Sequence, residues 1–323
     1  MTDRIGPATL PFSASAPGKC IVFGEHAVVH GCPELLFALD LTTQVLARPG
    51  TRSALNGDAG APERHPYFRA ALAQPWAPRA PLDVRAVSRI PRGAGLGSSA
   101  ALCAALAAGF SALGGGIDRP GLAQRAFEVE RAAQGVGSPG DTSAAVAGGF
   151  LAVNAPDGGP LLWTVRDGPR RWEVRRADDP GWVWVVAHSG IPRATGDAVR
   201  AVSARLARPD GPALLEQFAR VAREGIAAVA RGDRAAVGER MAENQRLLRD
   251  VGVSHPRLEA LLEAVAPAAD GAKLTGAGAG GSIVALPRPG AELDAVRRLA
   301  RAGALPFVVR PAGDGARLVE APA

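Results

Sequence analysis

The chain has 323 residues, enough for two domains with separate cores. Hydrophobic residues make up 47%, which excludes overall disorder, and no run of about 18 uncharged apolar residues occurs, so no membrane partner is expected. The net charge of +6 is not clustered. Its densest basic stretch, Arg166 to Arg176, is interrupted by Asp167 and Glu173, and aromatic residues are only 5%, so nucleic acid is not expected as a partner either.

The first residues, MTDRIGPATLPFSAS, lack the basic start and apolar middle of a signal peptide, and a cytoplasmic location is expected. Residues 13–47 read as strand, turn, strand, with Cys20-Ile21-Val22-Phe23 as a short apolar run. A loop spans Arg48 to Glu63, and a helix or turn lies around Tyr67 to Leu72. Leu82 to Ile90 alternates apolar and polar residues, as a half-buried strand does. After the glycine loop Pro91 to Gly97, Ser98 to Leu113 is rich in Ala and Leu. It is read as a helix with serine at its N-cap and an apolar stripe of Leu102, Leu106, Phe110 and Leu113. A second helix runs Pro120 to Ala133, a loop spans Gln134 to Asp141, and a strand covers Phe150 to Val153. Arg166 to Arg176 is read as solvated surface.

A second domain opens with the strand Trp182 to Ala187. Helical patterns follow at about 195–207, 212–230, 233–249 and 255–266. Short strands at Lys273 to Thr275 and Ser282 to Leu286 flank another glycine loop. A helix near 290–302 and a strand at Phe307 to Val309 close the chain. The three cysteines, Cys20, Cys32 and Cys103, are odd in number with no CxxC spacing, so they read as buried small hydrophobes rather than disulfides or zinc ligands.

Of 37 basic residues only Lys19 and Lys273 are lysine, and both sit in motif-like segments, APGKC and GAKLTGAGAGG. An arginine-rich codon usage explains why lysines are few but not where they remain. A compact ammonium is not interchangeable with a guanidinium beside phosphate or a reacting hydroxyl.

In PRGAGLGSSAA, alternate glycines let the backbone approach an anion, and the following helix points its free N–H groups and positive dipole end at the same place. No Gly-Lys-Ser/Thr follows, so this is not a Walker loop. The GxGxG spacing argues against a nicotinamide dinucleotide site. Gly276 to Gly281 forms the second glycine loop, and two such loops point to a phosphorylated ligand.

With these motifs in order (Ala16 to Gly31, Pro91 to Ala101, Lys273 to Ser282) the chain resembles the GHMP kinases, named for galactokinase, homoserine kinase, mevalonate kinase and phosphomevalonate kinase. The wording GEHAVVHG looks like the mevalonate kinase branch, and Ile191 to Thr195, Asn244 to Leu248 and Gly252 to Ser254 agree with it. Ser138-Pro-Gly-Asp141-Thr142 looks closer to the shorter archaeal and bacterial forms.

The resemblance implies an α+β, two-domain GHMP kinase fold. Its N-terminal domain (1–180) would be ribosomal protein S5 domain 2-like and its C-terminal domain (181–323) ferredoxin-like, with the active site in the cleft between them. It implies transfer of the ATP γ-phosphoryl to the 5-hydroxyl of mevalonate, with ATP and Mg²⁺ as cofactors and mevalonate as partner. A homodimer is compatible, though the sequence fixes no oligomeric state. Another acceptor (phosphomevalonate, the mevalonate 3-hydroxyl or a sugar) and a non-catalytic ligand sensor remain as alternatives. By the same resemblance Asp141 and Lys19 are catalytic, and ATP contacts Pro91, Gly93, Ala94, Gly95, Leu96, Gly97, Ser98, Ser99, Ala100 and Gly278. Glu25, His26, Arg193, Thr195, Gly276 and Ala277 lie at the substrate, with Arg193 suited to pair a carboxylate. Glu130, eleven residues before Asp141, holds Mg²⁺ with Ser99 or Ser98. Lys273 reads as a structural or rim charge.

Overall fold

In chain order, β1 (Arg4–Ile5), β2 (Phe12–Phe23), a 3-10 turn at Ala27–His30 and β3 (Glu34–Pro49) open the structure. They are followed by β4 (Ala54–Leu55), α1 (Ala61–Arg64), α2 (Pro66–Leu72), β5 (Leu82–Ser88) and the long α3 (Ser98–Leu113). Next come β6 (Ile117–Asp118), α4 (Arg119–Gln134), α5 (Gly140–Ala147), β7 (Phe150–Val153), β8 (Leu161–Asp167) and β9 (Arg170–Arg176). The remainder is β10 (Trp184–His188), α6 (Thr195–Leu206), α7 (Gly211–Ala230), α8 (Arg234–Asp250), α9 (Pro256–Val265), β11 (Ala269–Thr275), β12 (Ser282–Pro287), α10 (Glu292–Arg301), β13 (Leu305–Val309) and β14 (Arg317–Val319). The computed structural model describes residues 4–192 and 195–320, without the side chains of 195–197 and 199.

Two sheets organise these elements into an α+β fold. The larger has the order β14-β2-β3-β7-β9-β8, with β5 beside the outer half of β3. The smaller is antiparallel, in the order β11-β12-β10-β13. All twelve residues of β2 are buried, so its sequence shows no alternation. Pro17, which has no N–H to donate, sits where the register against β3 shifts. The helix α3 packs against β2, β3, α4 and α5 and is buried on nearly every face, which is why its apolar residues extend well beyond one stripe. In the second half, Leu214, Phe218, Val221, Ala222 and Val229 form the buried face of α7 at helical spacing.

Several expectations change. The N-cap of α3 is Gly97, at φ 75°, and neither serine caps the helix; both hydroxyls are left for other partners. The expected loop up to Asp141 already turns helical at Gly140, so Asp141 lies in the first turn of α5. Arg166 to Arg176 belongs largely to the hairpin β8–β9, whose Trp163, Val165, Trp172 and Val174 are buried, whose Arg166, Arg170 and Arg171 are exposed, and whose half-buried Arg176 donates to the Ala147 and Gly148 carbonyls. Phe307 to Val309 does not close the chain, because β14 returns to pair with Ser13 to Ser15 of β2 in the large sheet. Cys20 and Cys103 are buried, but Cys32 is only half-buried, and all three are free thiols.

Candidate active site

A cavity of about 780 Å³ opens between β2, the loop Pro91 to Gly97, the start of α3, α4 and the glycine loop after β11. Lys19 enters it from the irregular stretch of β2. Its backbone N–H donates to the Leu96 carbonyl (2.9 Å), which ties β2 to the glycine loop. Its stem passes Gly97 so closely that a Cβ there would lie 2.7 Å from Lys19 Cγ. The ammonium ends 3.0 Å from Asp141 Oδ2; the Lys19 side chain is 2% exposed and that of Asp141 32%.

Gly93, Gly95 and Gly97 all take positive φ (69°, 80° and 75°), a conformation L side chains rarely adopt. With no side-chain cap, the first N–H groups of α3 are open to an anion. The Ser99 hydroxyl donates to Glu130 Oε1 (2.9 Å), and the Gln134 amide donates to Glu130 Oε1 and to the Tyr67 hydroxyl (3.1 Å each). Ser98 lines the cavity with no side-chain hydrogen bond among the described residues, so orientation toward the carboxylate distinguishes Ser99. Burial, and after it the Asp141 charge, pushes the Glu130 carboxyl up to about 8. Among the described residues no three His, Cys, Asp or Glu side chains are grouped to hold a metal. The donor set present, a hydroxyl and a buried carboxylate beside a second carboxylate, fits a hard cation that keeps water and phosphate ligands.

The Glu25 carboxylate is held in a fully buried ion pair with Lys273. Lys273 also donates to the Leu274 carbonyl (2.6 Å), so it is a structural charge and not a rim one. His26 Nε2 lies 3.1 Å from the Ala277 carbonyl, and the Thr275 hydroxyl exchanges 3.0 Å hydrogen bonds with the Ile21 backbone. The two motifs therefore clasp each other beside the cavity.

Lys19, Glu25, His26, Pro91, Gly93, Gly95, Leu96, Gly97, Ser98, Ser99, Glu130, Asp141, Gly276 and Ala277 all line this one cavity. Ala94, Ala100 and Gly278 do not. Ala94 and Ala100 are buried beneath the loop, where the Ala94 carbonyl accepts from Ser282 (2.7 Å). Gly278 packs against Val253, whose carbonyl would lie 2.2 Å from a Cβ there. Arg193 lies outside the described residues, as does the side chain of Thr195, whose backbone begins α6.

The segment 244–254 has a supporting task. Gln245 accepts from the Leu274 N–H and donates to Ser254 and Glu259, bracing the turn that carries Val253 under the second glycine loop. Tyr67, Gln134 and Glu34 also line the cavity, and sequence reasoning did not single them out. A glutamate opening an otherwise apolar strand, Glu34-Leu-Leu-Phe, was the available signal for the last.

An anion cradle facing an ammonium–carboxylate pair, on this two-sheet fold, defines a small-molecule kinase. GHMP kinase family models match the chain twice, as the N terminal domain over residues 67–149 and the C terminal domain over residues 226–305. The chain belongs to the GHMP kinase family, for which ATP is the phosphoryl donor. Among its relatives, the mevalonate kinase of Methanothermobacter thermautotrophicus is 34% identical over 286 residues, 84% of this chain and 89% of that one. The mevalonate kinase of Aeropyrum pernix is 33% identical over 333 residues, 95% of this chain and 98% of that one. In the crystal structure of the Methanococcus jannaschii mevalonate kinase the same fold recurs, with a TM-score of 0.72 at 21% identity over 94% of this chain and 99% of that one.

Proposed function

We propose that the chain transfers the γ-phosphoryl group of ATP to the 5-hydroxyl of mevalonate, giving 5-phosphomevalonate and ADP. The observation that carries the reading is the 3.0 Å Lys19–Asp141 pair facing the uncapped start of α3 within one cavity. The acceptor is chosen from the relatives, which are mevalonate kinases over nearly their full length.

Phosphoryl transfer asks for alignment and charge neutralisation more than for covalent chemistry. Asp141 orients the acceptor hydroxyl and takes its proton. Lys19 stabilises the alkoxide that develops and the equatorial oxygens of the moving group. The loop from Pro91 to Gly97, with Ser98 and the first turn of α3, cradles the phosphates; Ala94 and Ala100 hold its shape from beneath. Ser99 and Glu130 would hold Mg²⁺, which supplies neutralising charge on the phosphate oxygens when bound. His26, Gly276 and Ala277 border the acceptor, and Glu25 acts there through its pair with Lys273. Gly278 seats the second loop on Val253. Arg193 and Thr195 complete the acceptor end in this reading. In this reading two domains divide near residue 180, with β14 returning from the second to the sheet of the first, and the enzyme works in the cytoplasm, where a homodimer is compatible with it. Among the described residues no helix is long and apolar enough to cross a membrane.

The test is incubation of the purified chain with ATP, Mg²⁺ and, separately, mevalonate, phosphomevalonate and galactose, with products identified by NMR. 5-Phosphomevalonate is expected. Phosphorylation at the 3-hydroxyl, or of another acceptor only, would overturn the assignment. Asp141→Asn should lower kcat by about 10²- to 10⁴-fold with the fold retained. Undiminished turnover would remove Asp141 from the chemistry.

A further inference from the structure

Glu34 opens β3, and its side chain reaches the same cavity as Lys19 and Asp141. The residue is 1% exposed. Oε2 is enclosed without any hydrogen-bond partner, and no hydrogen bond or ion pair to either oxygen occurs among the described residues. A Cβ on Gly140 would lie 2.1 Å from Glu34 Oε2, so the carboxyl rests against the residue preceding Asp141, and glycine there leaves it room. The nearby ammonium of Lys19 is already engaged by Asp141.

A buried carboxyl with no protein partner is costly, and a folded protein keeps one where a ligand completes its hydrogen bonds. The surroundings decide what kind of ligand group. Asp141 and Glu25 place negative charge around Glu34, which disfavours an anionic group there. Burial, and then the Asp141 charge, holds the Glu34 carboxyl well above the usual carboxylate range, and its unpartnered Oε2 calls for a hydrogen-bond donor. A hydroxyl, itself donor and acceptor, matches that pattern.

We propose that Glu34 is a specificity-determining residue that hydrogen-bonds the non-reacting tertiary hydroxyl of the acceptor. The inference rests on the mevalonate reading, because that acceptor carries a second hydroxyl in addition to the one that is phosphorylated.

The experiment compares kcat and KM of wild type, Glu34→Gln and Glu34→Leu for mevalonate and for its analogue lacking the tertiary hydroxyl, 5-hydroxy-3-methylpentanoate. Melting curves of the free proteins accompany the kinetics. Wild type should prefer mevalonate by about ten- to a hundredfold in kcat/KM. Glu34→Leu should raise KM for mevalonate about tenfold or more and treat the two acceptors alike. Glu34→Gln, which keeps a donor and an acceptor, should restore most of the preference. The free Glu34→Leu protein should melt about 2–6 °C higher than wild type, since an apolar side chain of similar size relieves the buried carboxyl. A merely structural Glu34 would give the reverse: a lower melting temperature with discrimination retained. An active wild type whose preference survives Glu34→Leu overturns this inference alone. A wild type that phosphorylates no mevalonate overturns the functional reading as well.

Discussion

Replacing Lys19 with methionine keeps most of the aliphatic stem and removes its charge. Two unit charges at the 3.0 Å separation of Lys19 Nζ and Asp141 Oδ2 attract by roughly 5 kcal/mol at an effective dielectric of about 20. The Asp141 side chain is 32% exposed, so water screens part of this and about 2–3 kcal/mol should remain. If the same ammonium acts on the charge that develops during transfer, kcat for Lys19→Met should fall by about 10²-fold. Melting should move by only a few degrees, because Asp141 can hydrate once its partner is gone. Lys19→Arg should be impaired too, since the slot is nearly closed to solvent and Gly97 presses on the stem. Steady-state kinetics at saturating ATP, paired with melting curves, read both quantities. A folded Lys19→Met enzyme turning over within fivefold of wild type would refute the electrostatic argument.

Gly97→Ala should disrupt both loop and lysine, because φ is 75° and the new Cβ would meet Lys19 Cγ at 2.7 Å; a loss of about 1–3 kcal/mol by denaturant titration, with lower kcat, is expected. An unchanged denaturation midpoint would mean the loop has another conformation. In the ligand-free protein Glu130 holds a proton, through its rise from 4.5 to about 8, that the unfolded chain sheds near its ordinary value. Its contribution to stability is therefore fully present below pH ~4.5 and is lost as pH rises through about 8. Melting curves across that window should show a decline that Glu130→Gln flattens; an equal slope in the variant would place the titration elsewhere.

Short motifs with a physical rationale were legible in the sequence. The glycines before α3 and the lysine in APGKC stand out because few other residue types tolerate those positions, and the structure brings them to one cavity. The helices of the second half were legible because each buries one face at regular spacing. The hairpin β8–β9 was hidden by its arginines, although its tryptophans and valines alternate around an Asp-Gly turn. The turn of α5 at Gly140 was hidden because Ser-Pro-Gly reads as a breaker. The pairing of Glu25 with Lys273 and the burial of Glu34 against Gly140 were not legible. Each depends on a contact distant in sequence or on one adjacent in space alone, and no local pattern records it.

The return of β14 to β2 changes how the halves can move. The peptide chain passes from the large sheet to the small one between residues 176 and 184 and comes back between 309 and 317. Two covalent bridges, rather than one, span the catalytic gap. Swivelling and wide separation of the two sheets are thereby restrained, as they are by the buried contacts of Glu25 with Lys273 and of Ile21 with Thr275.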